Sequence, residues 1–192
     1  MTTTERFTTA DLERLELPEG WRAEVIDGEL LVSKAPSWQH QAVVVALVRL
    51  LADWADPREG AVNTGIGVIY ADDDNVIPDV VWVSRERLER GFDAAGHMVA
   101  VGPDLAVEVV SPGQPNAERD YDKKLALYSR RDAREYWIVD PQTGTVRVHT
   151  RPGGELSRRL ELQAELRGPD AWLQSELLEG FAVRLRDLFG GP

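Results

Sequence analysis

The chain contains no cysteine, which excludes disulfide scaffolds, thiol nucleophiles and thiolate metal sites together. It lacks any apolar run near the roughly 20 residues that a membrane-spanning helix requires. Its start, MTTTERFTTADLERLEL, does not have the basic-then-apolar order of a secretory signal. These absences lead to the expectation of a cytoplasmic chain without membrane contact. No glycine-rich phosphate loop and no GxSxG is present, so P-loop and serine-hydrolase chemistry have no footing. Basic charge is also short: 22 Lys and Arg stand against 33 Asp and Glu, for a net charge of -11. That balance argues against a generic nucleic-acid coat. It leaves room for a local basic face or a metal-filled site. Lysine is scarcest of all, confined to Lys34, Lys123 and Lys124, two of which are adjacent.

What is present suits one folded domain over 1–192, since 43% of the residues are hydrophobic. Thr8 or Thr9 can cap a short helix over Ala10 to Leu15. The segment WRAEVIDGELLVS alternates around Asp27-Gly28, a pair that accepts the positive φ of a tight hairpin turn. Ser37 precedes WQHQAVVVALVRLLADWAD, whose apolar residues cover most of a helical circumference and predict a largely buried helix. AVNTGIGVIY and VIPDVVWVS read as a second hairpin turning at ADDDN. Pro78 cannot donate to a ladder, which places it at a strand start with Asp79 at the mouth. A polar connection from Arg85 to Gly102 leads to the strand DLAVEVVS. A helix over Ala117 to Arg131 and the hairpin EYWIVDPQTGTVRVHT, turning at Pro141 to Gly144, follow. The strand, helix, strand order from Leu105 to Val139 suits a crossover between parallel neighbours. LELQAEL reads as a further strand and FAVRLRDLF as a closing segment.

Glu108 is the anomaly. It lies within an apolar strand and shares a face with Ala106 and Val110, where a lone carboxylate is costly. Its partner is a metal ion or a basic side chain from the crossover helix. In that helix Asp120, Lys124 and Tyr128 stack on one face at four-residue spacing, so Lys124 can reach Glu108. Asp79, at the start of a neighbouring strand, can complete a cluster of two carboxylates and one ammonium. Two carboxylates suit Mg²⁺ or Mn²⁺, and lysine beside such an ion can steady charge on a phosphoryl group. The combination describes metal-assisted phosphodiester hydrolysis.

PDVVWV, AVEVVSP, the DYDKKLALY helix and REYWIVDP resemble the Uma2 (Uma-two) family of restriction endonucleases, a branch of the PD-(D/E)XK nuclease superfamily. The likeness runs from about Trp21 to Val148 and includes EVIDGEL and a histidine at the start of the next helix. It implies an α/β restriction-endonuclease-like core, a mixed sheet with flanking helices and an N-terminal hairpin. It also implies Asp79 as the aspartate of the PD element, Glu108 as the second acid, and Glu24 and His40 as matches to the family's earlier acidic and histidine positions. The superfamily's lysine usually stands two residues after the acid, where this chain has Val110. The resemblance therefore implies a lysine moved onto the helix at Lys124, with Lys123 as its substitute and Asp120 as an orienting neighbour.

Simpler readings stand beside this one. Asp79 can be a turn residue, Glu108 with Lys124 a structural ion pair, Glu24 a surface strand residue and His40 a satisfied polar group at a helix start. Asp72 to Asp74 reads as an acidic turn, and Tyr128, Tyr136 and Trp137 as packing residues. The functional expectation is a Mg²⁺- or Mn²⁺-dependent endonuclease acting on DNA, with Asp79 and Glu108 as ligands and a homodimer as the assembly that would cut both strands. The competitors are a nuclease-fold binding module without turnover and a hydrolase of smaller phosphoesters.

Overall fold

The computed structural model describes residues 6–57, 59–111, 117–153, 157 and 159–190, the side chains of 117–120 excepted. Helix α1 (Thr9–Leu12) opens with a capping box, in which Thr8 and Asp11 each satisfy the other's backbone N–H. It buries none of its residues, so no core contact carries it on to Leu15. Strands β1 (Trp21–Ile26) and β2 (Glu29–Lys34) form the expected hairpin. Asp27 and Gly28 turn it with φ of 52° and 73°, as a two-residue turn of matching twist requires.

Helix α2 (Trp38–Trp54) begins at Ser37, whose side chain accepts the His40 N–H. Its buried residues are His40, Val43, Val44, Leu47 and Leu51, while Val45 is exposed and Trp38 is 91% exposed. The helix is thus buried on one face and not around most of its circumference, because it packs on one side only, against the sheet and the C-terminal helix. The segment read as one second hairpin divides between two sheets. Strands β4 (Val68–Ala71) and β5 (Asp74–Val76) pair around Asp72 and Asp73. Strand β3 (Gly60–Thr64) instead pairs with β6 (Val80–Ser84) in the other sheet. Gly65, at φ 62°, supplies the bend that separates β3 from β4.

The connection after β6 carries helix α3 (Arg85–Leu88) and the short strand β7 (Met98–Val99), which runs parallel to β4. Then come β8 (Leu105–Val109), α4 (Ala117–Arg130), β9 (Glu135–Asp140) and β10 (Thr145–Thr150). The chain continues through β11 (Glu161–Arg167), β12 (Trp172–Gln174), β13 (Ala182–Arg184) and α5 (Leu185–Phe189). Among the described residues the larger sheet has the order β11-β10-β9-β8-β6-β3 and the second β2-β1-β5-β4-β7, with β12 and β13 as a separate pair. β8 and β9 are parallel neighbours joined through α4, as the sequence order predicts, and β6 runs antiparallel to β8.

Alternation along β8 divides the core in two. Leu105, Val107 and Val109 pack on one side of the large sheet with Val43, Leu47 and Leu51 of α2 and Leu185 and Leu188 of α5. Ala106, on the other face, belongs to a second core with Ile26, Val68, Val76, Leu127 and Tyr136. The large sheet therefore lies between an α2/α5 layer and a layer made of α4 and the smaller sheet. Glu108 shares the Ala106 face, turned toward α4 and β1. No helix among the described residues is long and apolar enough to cross a membrane.

Candidate active site

β6 and β8 bring two acids together through register alone. Val80 is opposite Val107, and one further step in that register sets Asp79 across from Glu108. Pro78 ends the pairing on the β6 side, so the Asp79 side chain is free to fold back over the strand ends. Its Oδ2 accepts the Val109 N–H at 2.8 Å and lies 3.1 Å from His40 Nε2. His40 reaches this point because the Ser37 cap fixes the first turn of α2 and directs its third residue inward.

α4 supplies the cation. Lys124 Nζ lies 3.0 Å from Glu108 Oε1 and 2.9 Å from Glu24 Oε2. One helical turn later, Tyr128 donates its hydroxyl to the same Glu108 Oε1 at 3.1 Å. Glu24 also braces the backbone, since its Oε1 accepts the Ile77 N–H at 2.6 Å. One side chain of β1 thus holds both the ammonium and the segment that leads through Pro78 into Asp79. Glu24, His40, Asp79, Glu108 and Lys124 all line one cleft, with Arg22 and Lys34 from the β1–β2 hairpin beside them.

On the floor of the cleft three carboxylates face one ammonium and one imidazole, while Arg22 and Lys34 line the wall formed by the hairpin. Burial pushes the Glu108 carboxyl up to about 8, against the pull of Lys124, and Asp79 and Glu24 push it the same way. Burial works against the Lys124 ammonium as well. Glu108, Glu24 and Asp79 outweigh it and raise Lys124 above the ordinary lysine range. Among the described residues neither Asp79 Oδ1 nor Glu108 Oε2 has a hydrogen-bond partner, and His40 Nδ1 is buried without one. Two uncommitted carboxylate oxygens are the donor type that hard divalent cations take, with water or phosphate completing the shell. No group of three or more His, Asp or Glu side chains among the described residues forms a cage by itself, because Lys124 occupies the space between Glu24 and Glu108.

All five residues singled out in the sequence meet in this cleft. Lys123 does not: its Nζ turns toward Glu29 at 2.6 Å. The Asp120 side chain, expected to orient Lys124, lies outside the described residues. Tyr128 and Tyr136 are fully buried, as packing residues should be, yet the Tyr128 hydroxyl also grips Glu108. The signal for that contact was its place one turn beyond Lys124 on the same helical stripe. His97 pairs with Asp93 outside the cleft at 3.1 Å.

A second ionic cluster was not legible. Asp74, read as part of an acidic turn, is a buried strand residue that accepts from Arg130, Arg131 and the Asp27 N–H.

Comparison with known proteins agrees with this architecture. A search of the curated proteins finds no match. Among solved structures the chain is similar to a putative nuclease belonging to DUF820 from Anabaena variabilis ATCC 29413, with a TM-score of 0.76 and 20% identity. That likeness covers 96% of this chain and 98% of the other, and at such identity it establishes the fold. The model of the Uma2 family, described as "Putative restriction endonuclease", matches residues 9–186. Spanning nearly the whole sequence, this match makes the chain a member of the Uma2 family.

Proposed function

We propose that the protein is a Mg²⁺- or Mn²⁺-dependent endonuclease that hydrolyses phosphodiester bonds in DNA, with Asp79 and Glu108 as the metal ligands. The observation that carries this reading is the convergence of Asp79, Glu108 and Lys124 from β6, β8 and α4 on one cleft. A buried carboxylate of raised pKa beside uncommitted oxygen donors marks a site that lacks a positive charge. A divalent cation held there would act as a Lewis acid on the phosphoryl group and bring the pKa of water down toward neutrality.

The remaining roles follow from the protein's own groups. Lys124 has three N–H donors, of which Glu24 and Glu108 take two. The third can meet a non-bridging phosphate oxygen and stabilise its growing charge. His40 and the Val109 N–H fix Asp79 Oδ2 and leave Oδ1 toward the cleft. Tyr128 does the same for Glu108, holding Oε1 and freeing Oε2. Glu24 sets the position of both Lys124 and the entry to Asp79.

The absence of a three-ligand cage among the described residues favours one alternative, a binding module that keeps the scaffold without turnover. Incubation with supercoiled plasmid separates the two. The endonuclease reading predicts nicking or linearisation with Mg²⁺ or Mn²⁺, none with a chelator, and none from Glu108→Ala. Equal cutting by wild type and Glu108→Ala, or cutting by neither, would remove it.

A further inference from the structure

The wall of the cleft opposite α4 has a different character from its floor. Arg22 lies on the same face of β1 as Glu24, two residues away, about 7 Å along the strand. Lys34 is the cross-strand neighbour of Trp21, and its Nζ sits 5.4 Å from the centre of that indole. Both cations line the cleft, and among the described residues neither has an ion pair. In a chain of net charge -11, most arginines near the strands are engaged by acids or carbonyls, as Arg87, Arg130, Arg131 and Arg151 are. Two cations without an acidic partner beside an acidic floor are therefore unusual, and they are complementary to a phosphate chain passing over that floor.

Beside that rim stands one indole with almost nothing packed on it, Trp38, which is 91% exposed. Trp21 is 37% exposed, lies under Lys34 and follows the opposite face of β1 from Arg22. Trp38 opens α2 between Pro36 and His40, both of which line the cleft. A free indole in water is an ordinary place for a base to stack, and stacking needs a base that is not already held in a duplex. Cations beside a free indole are the parts that sites for a single strand use: charge on the backbone, a ring under a base.

We propose that the rim formed by Arg22, Lys34 and Trp38 binds a single-stranded segment next to the phosphate to be cut, with Arg22 and Lys34 on its phosphates and the Trp38 indole on a base. This deepens the nuclease reading, on which the position of the cut phosphate rests. It makes the substrate an unpaired strand, or a junction of unpaired and paired DNA, in preference to plain duplex.

The test is binding of the full chain to a fluorescein-labelled oligothymidylate, a duplex of equal length and a single-strand–duplex junction, with chelator present so that no cutting occurs. The expected result is tighter binding to the oligothymidylate and the junction than to the duplex, with quenched indole fluorescence. Trp38→Ala should weaken single-strand binding about tenfold or more. Arg22→Ala and Lys34→Ala should each lower the salt slope by about 0.7. All three sites are on the surface, and a circular-dichroism melt checks that the variants fold.

Equal binding of duplex and single strand with unmoved indole emission would overturn the inference. So would Trp38→Ala converting a dimer to a monomer while leaving nucleic-acid affinity intact, since a second copy would then cover the indole. The two readings fail separately. Single-strand binding through this rim without cutting in any metal removes the nuclease and keeps the rim. Cutting of a single-strand–duplex junction in the presence of metal that Trp38→Ala and Lys34→Ala leave unchanged removes the rim and keeps the nuclease.

Discussion

Two buried carboxylates in this molecule have nearly the same exposure, Asp74 at 2% and Glu108 at 4%, and opposite surroundings. Asp74 is fully answered. Its Oδ1 takes Arg130 Nη2 at 2.8 Å and the Asp27 N–H at 2.9 Å, and its Oδ2 takes Arg131 Nη2 at 2.8 Å and Nε at 3.2 Å. Glu108 shares one ammonium with Glu24, faces Asp79, and keeps one oxygen uncommitted among the described residues. Burial of a charge is tolerable when hydrogen bonds and counter-charge saturate it. Asp74 meets that condition and ties the β4–β5 hairpin to the end of α4. Glu108 does not, and the proposed divalent cation would fill that deficit.

The comparison breaks most visibly in activity. With plasmid as substrate, Lys124→Met should reduce cutting about 10²- to 10³-fold, the loss typical of one group that stabilises charge in the transition state. Asp74→Ala should leave the rate per folded molecule unchanged. Equal losses in both variants, measured on protein confirmed as folded, would dissolve the distinction.

In stability the order reverses. Asp74→Ala deprives two arginines and a backbone N–H of their common acceptor and should cost about 3 kcal/mol, read from urea unfolding. A cost under about 1 kcal/mol would mean that solvent already serves those arginines, both of which are partly exposed.

The pH dependence sharpens the contrast further. Glu108 is raised from an ordinary 4.5 to about 8, so the folded chain keeps a proton that the unfolded chain releases. Native stability without metal therefore falls as pH rises from about 4.5 to 8, by at most about 1.4 kcal/mol per pH unit. Glu108→Gln cannot lose that proton. Its melting temperature in chelator, relative to wild type, should climb between pH 5 and 8. A flat difference across that range would show that Lys124 compensates Glu108 completely. The smallest effect is expected at Lys123, which points away from the cleft to pair with the half-exposed Glu29. Lys123→Ala should cut plasmid at the wild-type rate, and a large loss would reassign the catalytic lysine.

The reasons some features were readable from sequence are physical. Glu108 announced itself because strand alternation put a carboxylate among valines, and local pattern is all that such an inference needs. The Asp27-Gly28 turn was equally local, since only a few residue types accept its φ. Lys124 followed from helical periodicity, and its choice over Lys123 is a consequence of the 100° between adjacent helical positions. Long-range facts were less accessible. Nothing in AVNTGIGVIY says that its first half joins one sheet and its second half another; that split depends on β6 offering β3 a free edge. Asp74 looked like turn chemistry because its two arginines are 56 and 57 residues away. Trp38 looked buried because the pattern of α2 is apolar nearly all round, and only the arrangement of layers leaves one side open.

The most direct test of the account is calorimetric titration of Mn²⁺ into the metal-free chain at pH 8, beside Asp79→Ala and Glu108→Ala. Binding in the wild type that is lost in both variants is the predicted result. Indistinguishable heats in all three proteins, or no binding in the wild type, would contradict a divalent cation held between the ends of β6 and β8.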